Sequence, residues 1–159
     1  SIKTVHTDSA AYCLVASAKR DNMRLISVVI GAKSDKARAA ESWKLLEYGY
    51  KHFETHRLYT AYQALTKVHI WKGEFGKLSL GLTEDLYITI PKGEYKKLDA
   101  SVSVTTQIIA PAKKGGTYGT VNITLGDKNY AVRKLIALED VNEGDWIRKT
   151  IDSVRLMLE

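Results

Sequence analysis

The residues that could do chemistry crowd the start of the chain. Lys3-Thr4-Val5-His6-Thr7-Asp8 sets an ammonium, three side chains able to hydrogen-bond and a carboxylate within six positions. In an extended segment Thr4 and His6 share a side. Taken alone, this is an ordinary strand with polar residues at an exposed end. Nucleophilic acyl transfer would need an activated serine, a base, an oxyanion hole and a cationic clamp for a carboxylate. Ten serines are present: Ser1, Ser9, Ser17, Ser27, Ser34, Ser42, Ser79, Ser101, Ser103 and Ser153. None has lysine three positions on, and none opens Ser-x-Asn. His52 and His56 stand four apart, a spacing that can put two metal ligands on one helix face. With no third ligand at a recognisable spacing, no metal and no cofactor is expected. Cys13 is the single cysteine. It lies in an apolar run and reads as a buried, inert thiol.

Those residues need elements to position them. The chain has 159 residues, 45% hydrophobic and 26% charged, as in a soluble globular protein. No run of 18 apolar residues occurs, and no signal peptide is visible. The net charge is +6. Lys and Arg are scattered among acids, so nucleic acid is the last-ranked partner. Residues 12–18 and 23–30 read as strands joined by a turn at 19–22. The second is nearly continuously apolar, as in a strand covered on both faces. Ser34 or Asp35 can cap a long helix from 36 to about 54, with Ala39, Trp43, Leu46, Tyr50 and Phe53 at helical spacing. One helix cannot cover both faces of such a sheet, so this part expects more chain. Short strands follow at 68–71, 77–82, 86–90, 98–109, 119–125 and 130–138, punctuated by Gly and Pro. They form a small all-β module, a sandwich or partial barrel. Trp43, Trp71 and Trp146 read as core or interface aromatics.

Residues 143–159 read as a last helix, with Gly144-Asp145 as its N-terminal signal. Ile147, Ile151, Val154 and Leu158 form a stripe beside Trp146, and Arg148, Lys149, Asp152 and Arg155 lie mostly off it. Periodicity leaves two readings open. The helix packs on its own domain, or it lies in a membrane interface.

A family emerges from several strings taken in order. They are Lys3-Thr4-Val5-His6-Thr7-Asp8, Leu14-Val15-Ala16-Ser17-Ala18, residues 23–31, residues 40–46 and Phe53-Glu54-Thr55. Leu80-Gly81-Leu82, residues 85–91 and Gly144-Asp145-Trp146-Ile147 continue the series. Together they resemble low-molecular-mass penicillin-binding proteins of the serine-type D-alanyl-D-alanine carboxypeptidase kind. The resemblance implies an α+β fold. Residues 1–57 would be the end of a transpeptidase/β-lactamase-like α/β domain. Residues 58–142 would be the β-rich second domain, a small all-β sandwich. Residues 143–159 would be an amphipathic helix that begins a membrane anchor.

The resemblance also assigns roles. Lys3 would belong to the third active-site motif, Lys-Thr-Gly. Its ammonium would raise local positive potential and help proton transfer. Thr4 would hold the terminal carboxylate of a D-Ala-D-Ala peptide or a β-lactam, with His6 and Thr7 following in the same substrate-binding strand. Val5 departs from the motif's glycine and adds bulk where backbone should approach closely. The Ser-x-x-Lys and Ser-x-Asn motifs are absent, so the chain alone is expected to be inactive. A peptidoglycan pentapeptide or β-lactam would be engaged only together with an N-terminal part. Trp146, Ile147, Arg148, Lys149, Ile151, Val154 and Arg155 would contact an anionic membrane, giving a periplasmic location on the outer face of the cytoplasmic membrane. The alternative is a non-catalytic binding or scaffold module at that surface. The strand at 23–30 would present an open edge and a bare apolar face, so self-association or an N-terminal fragment would cover residues 1–57.

Overall fold

The computed structural model describes residues 2–7 and 11–158, with side chains described for 12–158. The chain divides into two compact units, residues 1–56 with 89–95, and residues 57–88 with 96–159. The fold is α+β, with mainly antiparallel sheets and two helices.

In the first unit, β1 (Ile2–Thr7), β2 (Ala11–Arg20) and β3 (Met23–Ala32) form an antiparallel sheet in sequence order. Arg20 pairs with Met23 across a two-residue turn at Asp21-Asn22. Asp21 has φ +50°, a conformation that Asp and Asn tolerate and that a tight hairpin requires. The turn is therefore shorter than the expected 19–22. The long helix follows as α1 (Asp35–His52). Ser34 Oγ accepts from the Ala37 N–H at 3.1 Å, and Asp35 and Lys51 complement the helix dipole at either end.

The face that α1 turns inward keeps Leu46 and Tyr50 of the expected stripe but takes Ser42 in place of Trp43 and leaves Ala39 exposed. Ser42 and Leu46 are buried, whereas Trp43 is exposed. Two contacts fix this rotation. The Ser42 and Ser27 hydroxyls form a buried hydrogen bond. Gly49 lies so close to Leu25 that a methyl group there would overlap it. Leu14, Ala16 and Leu46 form the small core, with Leu25, Val29 and Tyr50 packed against it. Alternation along β3 sends Leu25, Ser27 and Val29 toward α1 and leaves Ile26, Val28 and Ile30 exposed. Cys13 is half-buried rather than buried.

The expected helix end near 54 is also corrected. Phe53 donates its N–H to Gly49 O as α1 stops. Residues 53–59 then become β4 (Phe53–Tyr59), a stretch rich in aromatic and β-branched residues. β4 pairs with β7 (Leu86–Pro91). The larger sheet has the order β5-β6-β10-β9-β8. Its strands are β5 (Thr66–His69), β6 (Lys77–Gly81), β8 (Leu98–Val104), β9 (Thr117–Leu125) and β10 (Lys128–Ala137). β8 stops at Val104, short of the expected 109. Gln107 takes φ +54°, and the chain leaves the ladder to pair with Trp71. There Trp71 N–H donates to Ile108 O and Ala110 N–H to Trp71 O, both at 2.8 Å. Leu78, Leu80, Val121, Ile123, Leu135 and Val141 are fully enclosed in the second unit. The last helix is α2 (Trp146–Leu158).

Candidate functional site

β1 lies at the edge of the first sheet, in register with β2. Lys3 faces Val15, Thr4 faces Leu14, Val5 faces Cys13 and His6 faces Tyr12. The strand thus sets Lys3, Thr4, His6 and Thr7 along one edge. Their side chains lie outside the described residues. An edge strand offers backbone N–H and C=O groups to an extended peptide.

Five of the described serines are engaged elsewhere. Ser17 Oγ accepts from Arg24, Ser27 pairs with Ser42, Ser34 caps α1, and Ser153 donates to Lys149 O. His52 and His56 do not share a helix face, because α1 ends at His52 and His56 belongs to β4. His52 lies against Tyr48, and His56 stacks on Tyr95 with its Nε2 3.2 Å from Glu54. Among the described residues no three His, Cys, Asp or Glu side chains converge as metal ligands.

α2 presents the most informative geometry. Its apolar stripe faces away from the unit it belongs to. Trp146 is 76% exposed, Ile147 56%, Ile151 50% and Val154 54%. Met157 and Leu158 continue the exposed side. The helix is held by polar atoms instead. Asp152 is 8% exposed, and its carboxylate accepts from the Lys72 N–H at 2.8 Å. Arg148 donates to Glu74 O at 2.9 Å, and Lys149 pairs with Glu143. That ammonium holds the Glu143 carboxyl below its usual range. Arg155 is exposed. Periodicity had grouped Asp152 with the off-stripe charges. Its anchoring role could not be read from the sequence, since its partner is a backbone N–H 80 residues away.

Asp85 is a second acid that sequence reading did not single out. Its carboxylate accepts from the Ala61 N–H at 2.8 Å, with Arg57 and Tyr87 at 3.5 Å. The Ala61 N–H holds its pKa below the ordinary aspartate value, against a smaller opposing effect of burial, and the Arg57 guanidinium and Tyr87 hydroxyl add to the lowering. A carboxyl depressed on folding contributes stability above its unfolded pKa and loses it as pH falls through the folded one. Asp85→Asn is therefore expected to lower the urea midpoint at pH 7, and its difference from the unaltered chain should shrink as pH falls below the ordinary aspartate pKa. An equal loss at both pH values would assign the effect to geometry rather than charge.

Residues 53–143 match the family described as the C-terminal domain of penicillin-binding protein 5. The chain belongs to this family. Residues 1–34 match a second family, D-alanyl-D-alanine carboxypeptidase. D-alanyl-D-alanine carboxypeptidase DacA of Escherichia coli is 42% identical over 157 residues, covering 98% of this chain and 39% of the relative. DacC of the same organism is 41% identical over 156 residues, again 98% of this chain and 39% of the relative. The solved structure of penicillin-binding protein 5 from Haemophilus influenzae superimposes with a TM-score of 0.82 at 39% identity. That match covers 89% of this chain and 42% of the other. The chain thus spans about two fifths of the length of the curated relatives it matches. No described helix is long and apolar enough to cross a membrane.

Proposed function

We propose that the chain is the C-terminal part of a serine-type D-alanyl-D-alanine carboxypeptidase that acts in peptidoglycan maturation. The observation that carries this reading is the joint match, in order, of residues 1–34 and 53–143 to the two family descriptions. In this reading residues 1–57 close a transpeptidase-like domain, and β1 supplies the third wall of its cleft. Lys3 provides the positive potential beside the reacting serine, and Thr4 takes the substrate carboxylate. The open edge of β1 suits an extended peptide, and a β-lactam would occupy the same wall. The serine and its lysine come from the N-terminal part of the longer protein. That part, or a second copy, covers Ile26, Val28 and Ile30.

Residues 58–142 act as a spacer. α2 rests on the outer face of the cytoplasmic membrane, in the periplasm. Its outward apolar stripe supports this placement, since a helix that packed on its own unit would turn that stripe inward.

Fluorescent penicillin tests the reading. The chain alone is expected to carry no covalent adduct by intact mass, because every described serine lacks the required partner. A longer protein that supplies Ser-x-x-Lys upstream is expected to take up one adduct per chain. In that protein Lys3→Ala should slow acylation by about 10²- to 10³-fold, the usual cost of removing one electrostatic stabiliser. A stoichiometric adduct on the short chain would overturn the reading, as would none on the long one.

A further inference from the structure

The loop between β5 and β6 is unusually well braced for a surface turn that displays an aromatic ring. Ile70 N–H donates to Gly76 O at 3.2 Å and closes it. Lys72 gives its N–H to Asp152 of α2 and takes the Gly144 N–H at 2.8 Å. Glu74 N–H donates to Asn142 O at 2.9 Å. The Glu74 carboxylate accepts from Asn142 N–H and Nδ2 at 3.1 and 3.2 Å. Glu74 O takes the Arg148 guanidinium. A methyl group on Gly76 would lie 3.1 Å from Arg148 Nη2. Glu74, before Phe75, is therefore fixed to α2 and to the segment that enters it, and Gly76, after it, is tied to Ile70 across the loop. Phe75 itself is 60% exposed.

An exposed phenylalanine on a mobile tip would bury little on contact and cost ordering entropy. Here the backbone is already ordered, so any surface that covers the ring gains its apolar area at low entropic cost. The charges nearby indicate what that surface is. Glu143 is paired with the Lys149 ammonium, whereas Glu74 and Asp152 accept from the neutral Asn142 and Lys72 N–H groups and keep their charge. Asp145 remains as an exposed carboxylate at the helix entry. Lys77, Arg148 and Arg155 are exposed, and Lys72 is half-buried. Lys72, Lys77, Arg148, Lys149 and Arg155 outnumber Glu74, Glu143, Asp145 and Asp152 by one, and Asp152 is buried, so outward apolar groups stand with a small excess of cations, which suits an anionic lipid surface.

We propose that Phe75 is a second membrane-inserting element, which with the α2 stripe docks the second unit on anionic lipid at two points. This rests on the membrane-surface reading of α2 and adds an orientation to it. One helix of 13 residues leaves the module free to rock about its axis, whereas a ring held off that axis removes the freedom.

Co-sedimentation of the chain with vesicles of phosphatidylglycerol and phosphatidylethanolamine tests it. Phe75→Ser is expected to lower the partition coefficient about fivefold, the scale of one partly buried aromatic ring. Val132→Ser, at an exposed apolar residue of β10, should change it less than about twofold. An environment-sensitive dye on Phe75→Cys, in a Cys13→Ser background, should shift its emission to the blue when vesicles are added. Unchanged binding of Phe75→Ser, or unchanged dye emission on bound chain, overturns the two-point docking and leaves the helix reading standing. Failure of the unaltered chain to bind these vesicles overturns both. A shift in sedimentation equilibrium on Phe75→Ser would overturn the proposal by showing a second copy on the patch.

Discussion

Replacing Ile147, Ile151 and Val154 together by serine is expected to reduce adsorption of the chain to anionic vesicles about tenfold or more, by loss of apolar area. All three side chains are at least half exposed, so the substitutions remove little that packs on the fold. The anchors of α2, Asp152 on Lys72 and Arg148 on Glu74, stay in place, and helix content should be retained by circular dichroism. Adsorption of the unaltered chain should weaken with salt, because Arg148, Lys149 and Arg155 act on lipid headgroups through a screened field. Removal of residues 145–159 should have at least as large an effect. The triple serine variant is the more decisive test, because truncation also strips the brace from the 70–76 loop. If it adsorbs as strongly as the unaltered chain, the stripe does not face lipid.

Leu80→Ala is expected to destabilise the second unit by about 2–5 kcal/mol, the range for a large side chain removed from a rigid core. Leu80 is fully enclosed, and β6 pairs with β5 on one side and β10 on the other. Little can collapse into the space it leaves. Leu14→Ala in the first unit should fall at the low end of that range. Its core is small, built on Leu14, Ala16 and Leu46, and it can relax toward an open sheet face. Urea unfolding followed by tryptophan emission should then show two transitions. Trp43 reports the first unit and Trp71 the second, with Trp43→Phe and Trp71→Phe separating the signals. The first transition should shift with protein concentration if a second copy covers Ile26, Val28 and Ile30. A single transition moved equally by both substitutions would contradict this division of stability.

Local instructions were legible wherever neighbouring residues suffice. Ser34 and Asp35 announce a helix start because a side-chain oxygen and a carboxylate complement N–H groups within one turn. Asp21-Asn22 announces a hairpin because few residues tolerate a positive φ there. A nearly continuous apolar run found β3, and short alternating segments found β6, β7, β9 and β10, to within a few residues. The ordered strings from Lys3 to Ile147 indicated the family, which the matches to residues 1–34 and 53–143 establish. β4 was missed because Phe53 and His56 fit a helical period as well as a strand, and only pairing with β7 separates the two.

Direction is what the sequence left open. A hydrophobic period states that a helix has two faces and is silent on which one meets protein. On α1, the hydroxyl pair of Ser27 with Ser42 and the closeness of Gly49 to Leu25 bring Ser42 inward with Leu46 and Tyr50 and leave Trp43 outside. On α2, a buried carboxylate holding a backbone N–H 80 positions earlier reversed the usual arrangement, with polar atoms inward and the stripe outward. Both outcomes depend on partners far apart in the chain, whose meeting is decided by tertiary packing and leaves no periodic trace in either segment.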